Sequence, residues 1–165
     1  MKRTIKLTLS LSEIVYDIQN KTYLTGRSLK DEKSDHGHIA NMQANDDDEN
    51  AAQILRSVTM ACAILRNRLS EYLSDGDSNS DNASVEAGED LQLTLKMPSN
   101  FNDSVSKTIG EAAHQFIVAT AVADWFAITA RGETSDYAPI ADAALRTLEE
   151  ALNKRSRPLR AEASA

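Results

Sequence analysis

Apolar and polar positions alternate at the start of the chain, where Ile5, Leu7, Leu9 and Leu11 are separated by Lys6, Thr8 and Ser10. A period of two marks a strand with one buried face, placed at about residues 4–10. The period then changes. Leu11, Ile14, Val15 and Ile18 recur at helical spacing, Ser10 and Glu13 have capping-box spacing, and Gly26 supplies a stop. Together these predict a first helix over residues 11–24. Residues 29–50 turn polar, with Asp31, Glu32 and Asp35 followed by Asp46, Asp47, Asp48 and Glu49, and show no period. Such a stretch reads as a loop or arm that only a neighbour would order.

Helical spacing resumes with Ala51, Ile54, Leu55, Val58, Cys62, Leu65, Leu69, Tyr72 and Leu73, predicting a second helix over residues 47–73. The acidic cluster before it suits the positive end of the helix dipole. Residues 74–90 are rich in Ser, Asn, Asp and Gly and read as a surface loop. Leu91, Leu93, Leu95 and Met97 then share one face of a second strand at 91–97, ended by Pro98. Two strands of matching length most simply join in a ribbon. A two-stranded ribbon is unstable alone, so it must lie on the helices or on another subunit, and Leu91, Leu93 and Leu95 are candidate subunit contacts.

A third helix, capped by Ser99 or Asn102, is apolar around most of its circumference from Val105 through Ile109, Phe116, Ile117, Trp125 and Phe126 to Ala130. That pattern predicts the central helix of a bundle, ended by Arg131 and Gly132. A fourth begins at Thr134 or Ser135 and carries a stripe of Tyr137, Ile140, Ala141, Ala144, Leu145, Leu148 and Leu152. The expected fold is mainly α, a four-helix bundle with a small two-stranded β ribbon. Residues 1–153 form the single helical domain and residues 154–165 a basic tail.

Charge sharpens the contrast between body and tail. Of a formal net charge of −7, Lys154, Arg155, Arg157 and Arg160 against Glu162 contribute +3, so residues 1–153 carry −10. An acidic body repels phosphate and argues against indiscriminate nucleic-acid binding. The four cations are candidate partner-binding residues, able to enter an acidic groove or touch DNA phosphate, the plainer reading being a solubilising end. A single cysteine, Cys62, excludes an internal disulfide and a cysteine-rich zinc site. No apolar run is long enough to cross a bilayer, and the early residues lack a signal-peptide core, so a soluble protein of a reducing compartment is expected.

The chemistry-bearing residues do not converge. Asp75, Asp77, Asn79, Asp81 and Glu86 fall at positions one, three, five, seven and twelve of a calcium-loop register. Ser80, however, stands where that loop needs Gly, and a strand follows where it needs a helix, so a solvated loop is the preferred reading. His36 and His38 flank Gly37 without a further ligand nearby. His114 lies on the apolar third helix, where Asp124, Ser104 and Ser106 are strung along the axis and cannot form a triad. It reads as a packed, hydrogen-bonded residue. No phosphate loop or paired-carboxylate site is present, and neither an enzyme nor a bound cofactor is expected.

Four segments together resemble a known family. They are the Leu93 Thr94 Leu95 Lys96 Met97 Pro98 Ser99 Asn100 Phe101 phrase, His114 Gln115 Phe116 Ile117 Val118, Ala123 Asp124 Trp125 Phe126, and the closing Lys154 Arg155 Ser156 Arg157 Pro158. In these the chain is similar to small virion proteins encoded in structural clusters of tailed phages and prophages of Bacteroides-type bacteria, of the helical head-tail connector or adaptor kind. The resemblance covers the C-terminal half well and the N-terminal half loosely. It implies a ring homo-oligomer beneath the portal, contacts with portal and with tail or neck proteins, and DNA passing nearby without specific binding. It also implies assembly in the host cytoplasm and a final place in the virion neck. A tail-terminator or other tail-completion protein is the alternative within this class. A helical nucleic-acid-binding or regulatory protein using the basic tail is the alternative outside it.

Overall fold

β1 (Arg3–Leu9) pairs antiparallel with β2 (Leu91–Met97), Arg3 opposite Met97, Lys6 opposite Thr94 and Leu9 opposite Leu91. The alternation seen in the sequence sets the faces: Leu7, Leu9, Leu93, Leu95 and Met97 are buried, whereas Thr4, Lys6 and Thr8 are exposed. The structure is a computed structural model and describes residues 2–30, 40–78, 89–131 and 134–158.

Four long helices complete the described part: α1 (Leu11–Lys30), α2 (Asp48–Arg68), α3 (Ser106–Thr129) and α4 (Thr134–Leu152). A single helical turn, Asp75–Ser78, precedes β2, and a short 3-10 segment, Asp103–Val105, leads into α3. The side chain of Asn102 caps that segment by accepting from the Ser104 N–H. α3 is the centre. It packs against α1, α2, α4 and β1, and Ile109, Ala113, Ile117, Val122 and Phe126 along it are completely buried. Small residues such as Ala112, Ala119 and Ala121 let the neighbouring helices approach. Phe126 also meets Tyr137 of α4 with ring centroids 5.5 Å apart. Truncating a side chain packed like Phe126 to alanine costs about 3–5 kcal/mol. The chain is thus a helical bundle with a two-stranded ribbon, as the sequence predicts.

Three boundaries differ from the sequence reading, each for a tertiary reason. α1 continues past Gly26 to Lys30, because Gly26 and Thr22 are buried and Leu29 packs on the core, so burial outweighs the stop signal. α2 ends at Arg68, not at 73. The chain then turns through residues 69–72, keeping Leu69 and Leu73 in the core and bringing Leu73 into a bridge with Leu95.

The third difference is the arm expected at 29–50, whose second half belongs to the body. Met42 is fully buried and Ala44 nearly so. The Trp125 indole donates to the Met42 carbonyl at 2.7 Å, and the Ala44 N–H donates to the Thr22 hydroxyl at 3.1 Å. These bonds satisfy backbone groups that would otherwise be buried unpaired. Residues 31–39, with His36 and His38, lie outside the described residues.

Candidate functional site

The ribbon has two outer edges, and they differ. Along β2 the edge is covered, since the Ser74 N–H donates to the Thr94 carbonyl at 2.8 Å and the Lys96 N–H to the Tyr72 carbonyl at 2.6 Å. These bonds show that the even-numbered residues of β2 point their backbone groups away from β1. The ladder between the strands therefore runs through the odd-numbered residues. By the same register, the N–H and C=O groups of Thr4, Lys6 and Thr8 point outward from β1. Among the described residues no backbone group pairs with them. An open row of donors and acceptors of this kind is a template for another strand.

That edge borders a groove of about 580 Å³. Its floor is the face of α3 carrying Lys107, Gly110, Glu111 and His114, and α1 closes one end with Glu13 and Asp17. His114 Nε2 lies 2.7 Å from the Asp17 carboxylate, tying α3 to α1 at that end. Gly110 lies under β1, where a methyl group would meet Leu7 Cδ1 at 3.6 Å. His114 is thus a hydrogen-bonded packing residue, as its place on the apolar helix suggests.

A second groove, of about 450 Å³, lies on another flank of α1, between Ser12, Val15, Tyr16 and Gln19 and the start of α2 at Ala52 and Leu55. Its walls are mostly apolar. Tyr16 is 66% exposed beside it, and farther along α2 Met60 is 60% exposed. Large apolar side chains grouped at a groove mark a contact surface more often than isolated ones do.

The candidate residues fall into several groups. Leu93 and Leu95 are buried in the chain's own core and Leu91 is half-buried, which corrects their reading as subunit contacts. The strand that offers a free edge is β1. Arg155 is exposed but engaged within its own chain. Its guanidinium donates to the carbonyls of Leu152 at 2.8 Å and Lys154 at 3.2 Å, capping the C-terminal end of α4. The segment after α4 is laid back on the body, since the Asn102 N–H donates to the Lys154 carbonyl and the Ser156 N–H to the Asn100 carbonyl. Arg3 joins this cluster by donating to the Phe101 carbonyl and the Asp103 carboxylate. Lys154 and Arg157 are exposed, and Arg160 lies outside the described residues.

Of the calcium-register residues, Asp75 binds the Lys96 ammonium at 2.7 Å, and that bond holds its carboxyl below the usual range. Asp75 and Asp77 fall in a helical turn, whereas a calcium loop would be open at these positions. Asn79, Asp81 and Glu86 lie outside the described residues. Among the described residues no three His, Cys, Asp or Glu side chains gather in a way that could hold a metal ion.

Two titratable groups are tuned by the bundle itself. Burial in α2 pushes the Cys62 thiol up to about 11. Asp124 is raised from its ordinary value of 3.8 by partial burial, which a hydrogen bond from Ser57 partly offsets. Neither faces a groove-lining nucleophile or base, and both read as consequences of packing. Sequence reasoning missed the β1 edge because its signal is conditional. Thr4, Lys6 and Thr8 mark an exposed face, but that β1 and not β2 is the open strand follows only from the fold of residues 72–74. Among the described residues no helix is long and apolar enough to cross a membrane. No protein-family model, no curated protein and no solved structure matches this chain.

Proposed function

We propose that this chain is a self-assembling structural subunit of the head-tail connector, or adaptor, kind, which forms a ring beneath a phage portal and joins capsid to tail. The observation that carries this reading is the pair of open surfaces on different flanks of α1, the β1 edge with its groove and the apolar groove against α2. Closed rings need heterologous contacts, in which one patch of a subunit meets a different patch of the next. A small body with two such patches meets that requirement. The excess of negative charge over residues 1–153 suits a ring around a DNA channel, because repulsion lets a duplex slide without sticking. The resemblance of the C-terminal half to virion connectors supplies the kind of assembly.

The reading is tested by negative-stain electron microscopy of the purified chain, alone and mixed with portal rings. Uniform rings that cap the portal are expected. Rings that ignore the portal and bind tail tube would move the protein to the tail-terminator class. A chain that stays monomeric at high concentration and binds neither would exclude both.

A further inference from the structure

The open edge of β1 restricts what can pair with it, because α3 packs under β1 more closely than under β2. Neighbouring strands lie about 4.8 Å apart, whereas packed helices keep about 8–10 Å between their axes. A guest strand with a helix of its own on that face would therefore drive that helix into α3. Pairing of two β1 edges about a two-fold axis fails for this reason, and its fullest register also sets Lys6 against itself. Among the described residues the other strand, β2, is closed along its outer edge by residues 72–74. We propose that the β1 edge takes up a bare extended arm of a different protein as a third strand, with a basic side chain toward Glu13 and an acidic one toward Lys107. This contact goes beyond the ring reading and stands without it.

The outward N–H and C=O groups of Thr4, Lys6 and Thr8 supply the ladder for such an arm. Side chains of an added strand alternate in step with those of β1. Those opposite Thr4, Lys6 and Thr8 share the exposed face, so little there selects them. Those opposite Ile5, Leu7 and Leu9 turn toward α3 and the groove. α3 starts near Arg3, which donates to the Phe101 carbonyl and the Asp103 carboxylate just ahead of it. Gly110 lies by Leu7, and Lys107 is one helical turn back toward the Arg3 end. Glu13 stands at the opposite end, in the first turn of α1 after Leu9. The inward residues of an arm therefore meet Lys107 near Ile5, the glycine floor by Leu7, and Glu13 beyond Leu9. Acidic, small and basic is the order of side chains that matches.

Lys6, exposed in the middle of the edge, is the kind of residue that discourages unselective strand pairing. Selection then falls to the groove side. His114 is tied to Asp17 at 2.7 Å, which leaves Glu13 and Glu111 as the exposed carboxylates for an incoming cation. An antiparallel arm is favoured, since such pairs are slightly more stable per residue, and it presents its basic residue first.

Hydrogen exchange of the full-length chain is followed at the amides of Thr4, Lys6 and Thr8, with the capped peptide Thr-Arg-Thr-Ala-Thr-Glu-Thr as the probe arm. Slower exchange at all three is expected, and no change with the same peptide N-methylated at its threonines, which cannot form the ladder. Lys107→Glu weakens binding by up to about fivefold, the size of one exposed charge pair, and a peptide with Lys in place of its Glu regains it. An unchanged melting temperature shows that the body still folds. Equal protection by the N-methylated peptide would overturn strand addition, and so would the lack of protection by either peptide at saturating concentration. Protection that appears without peptide and rises with protein concentration would show the edge filled by another copy, overturning the arm while leaving the ring reading intact. A chain that stays monomeric yet gives the expected peptide result would uphold the arm and sink the ring reading alone.

Discussion

The Trp125 indole of α3 donates a 2.7 Å hydrogen bond to the carbonyl of Met42, 83 residues earlier, and so fastens a polar segment onto the central helix. Trp125→Phe keeps most of the ring but leaves that buried carbonyl unpaired. The expected cost is about 2–3 kcal/mol, read by urea denaturation, from the lost partner and the vacated indole volume. Hydrogen exchange at the Ala44 amide, which donates to Thr22, should speed up more than exchange at amides in the middle of α3.

Gly110 is a helical glycine with room above it. A methyl group there meets Leu7 Cδ1 at 3.6 Å, an ordinary contact, so the usual penalty of glycine in a helix can be removed without a clash. Gly110→Ala should raise stability by about 0.5–1 kcal/mol, measured as a shift in the urea midpoint at constant slope. A large side chain such as leucine at this position would instead fill the groove floor and interfere with any added strand.

Cys62 predicts slow thiol chemistry. With its pKa pushed up to about 11 by burial, the thiolate fraction at pH 8 falls roughly a hundredfold below that of a free cysteine. Alkylation of the folded chain should be slower by at least that factor and should become fast in denaturant. Rapid labelling of the native protein would show that the α2 core opens easily.

Asp75 and Asp124 have opposite pH signatures. Asp124 is raised by partial burial, so its protonated form is the one the fold favours. Its contribution is full below the ordinary carboxylate value and is lost as pH rises through the raised value. Asp124→Asn retains an acceptor for Ser57 and should be at least as stable as the parent at pH 7, with the difference vanishing toward about pH 3. Asp75 is lowered by its bond to Lys96, so its contribution is present at neutral pH and disappears as pH falls through the lowered value. Comparing melting temperatures of the parent, Asp124→Asn and Asp75→Asn between acid and neutral pH separates the two signs.

Strand positions, the central helix and the stripe of α4 were legible in the sequence because each is written in local periodicity. The even spacing of Ile5, Leu7 and Leu9 needs no knowledge of what covers it. What stayed hidden depends on partners distant in sequence. Met42 and Ala44 are two apolar residues in a polar run, too few to make a period, and their partners Trp125 and Thr22 lie elsewhere in the chain. Gly26 carried a true stop signal that packing around Thr22 overrode. Arg155 was readable in part: a cation just past a helix end is a common cap, and that assignment competes with a docking role. The open edge of β1 could not be read at all until residues 72–74 were seen to cover β2.

The most direct measurement of the central claim, that this chain works by docking onto copies of itself, is sedimentation velocity of the full-length protein over a wide concentration range. Growth of a single large species at the expense of monomer is the predicted result. A monomer at every concentration would contradict the account.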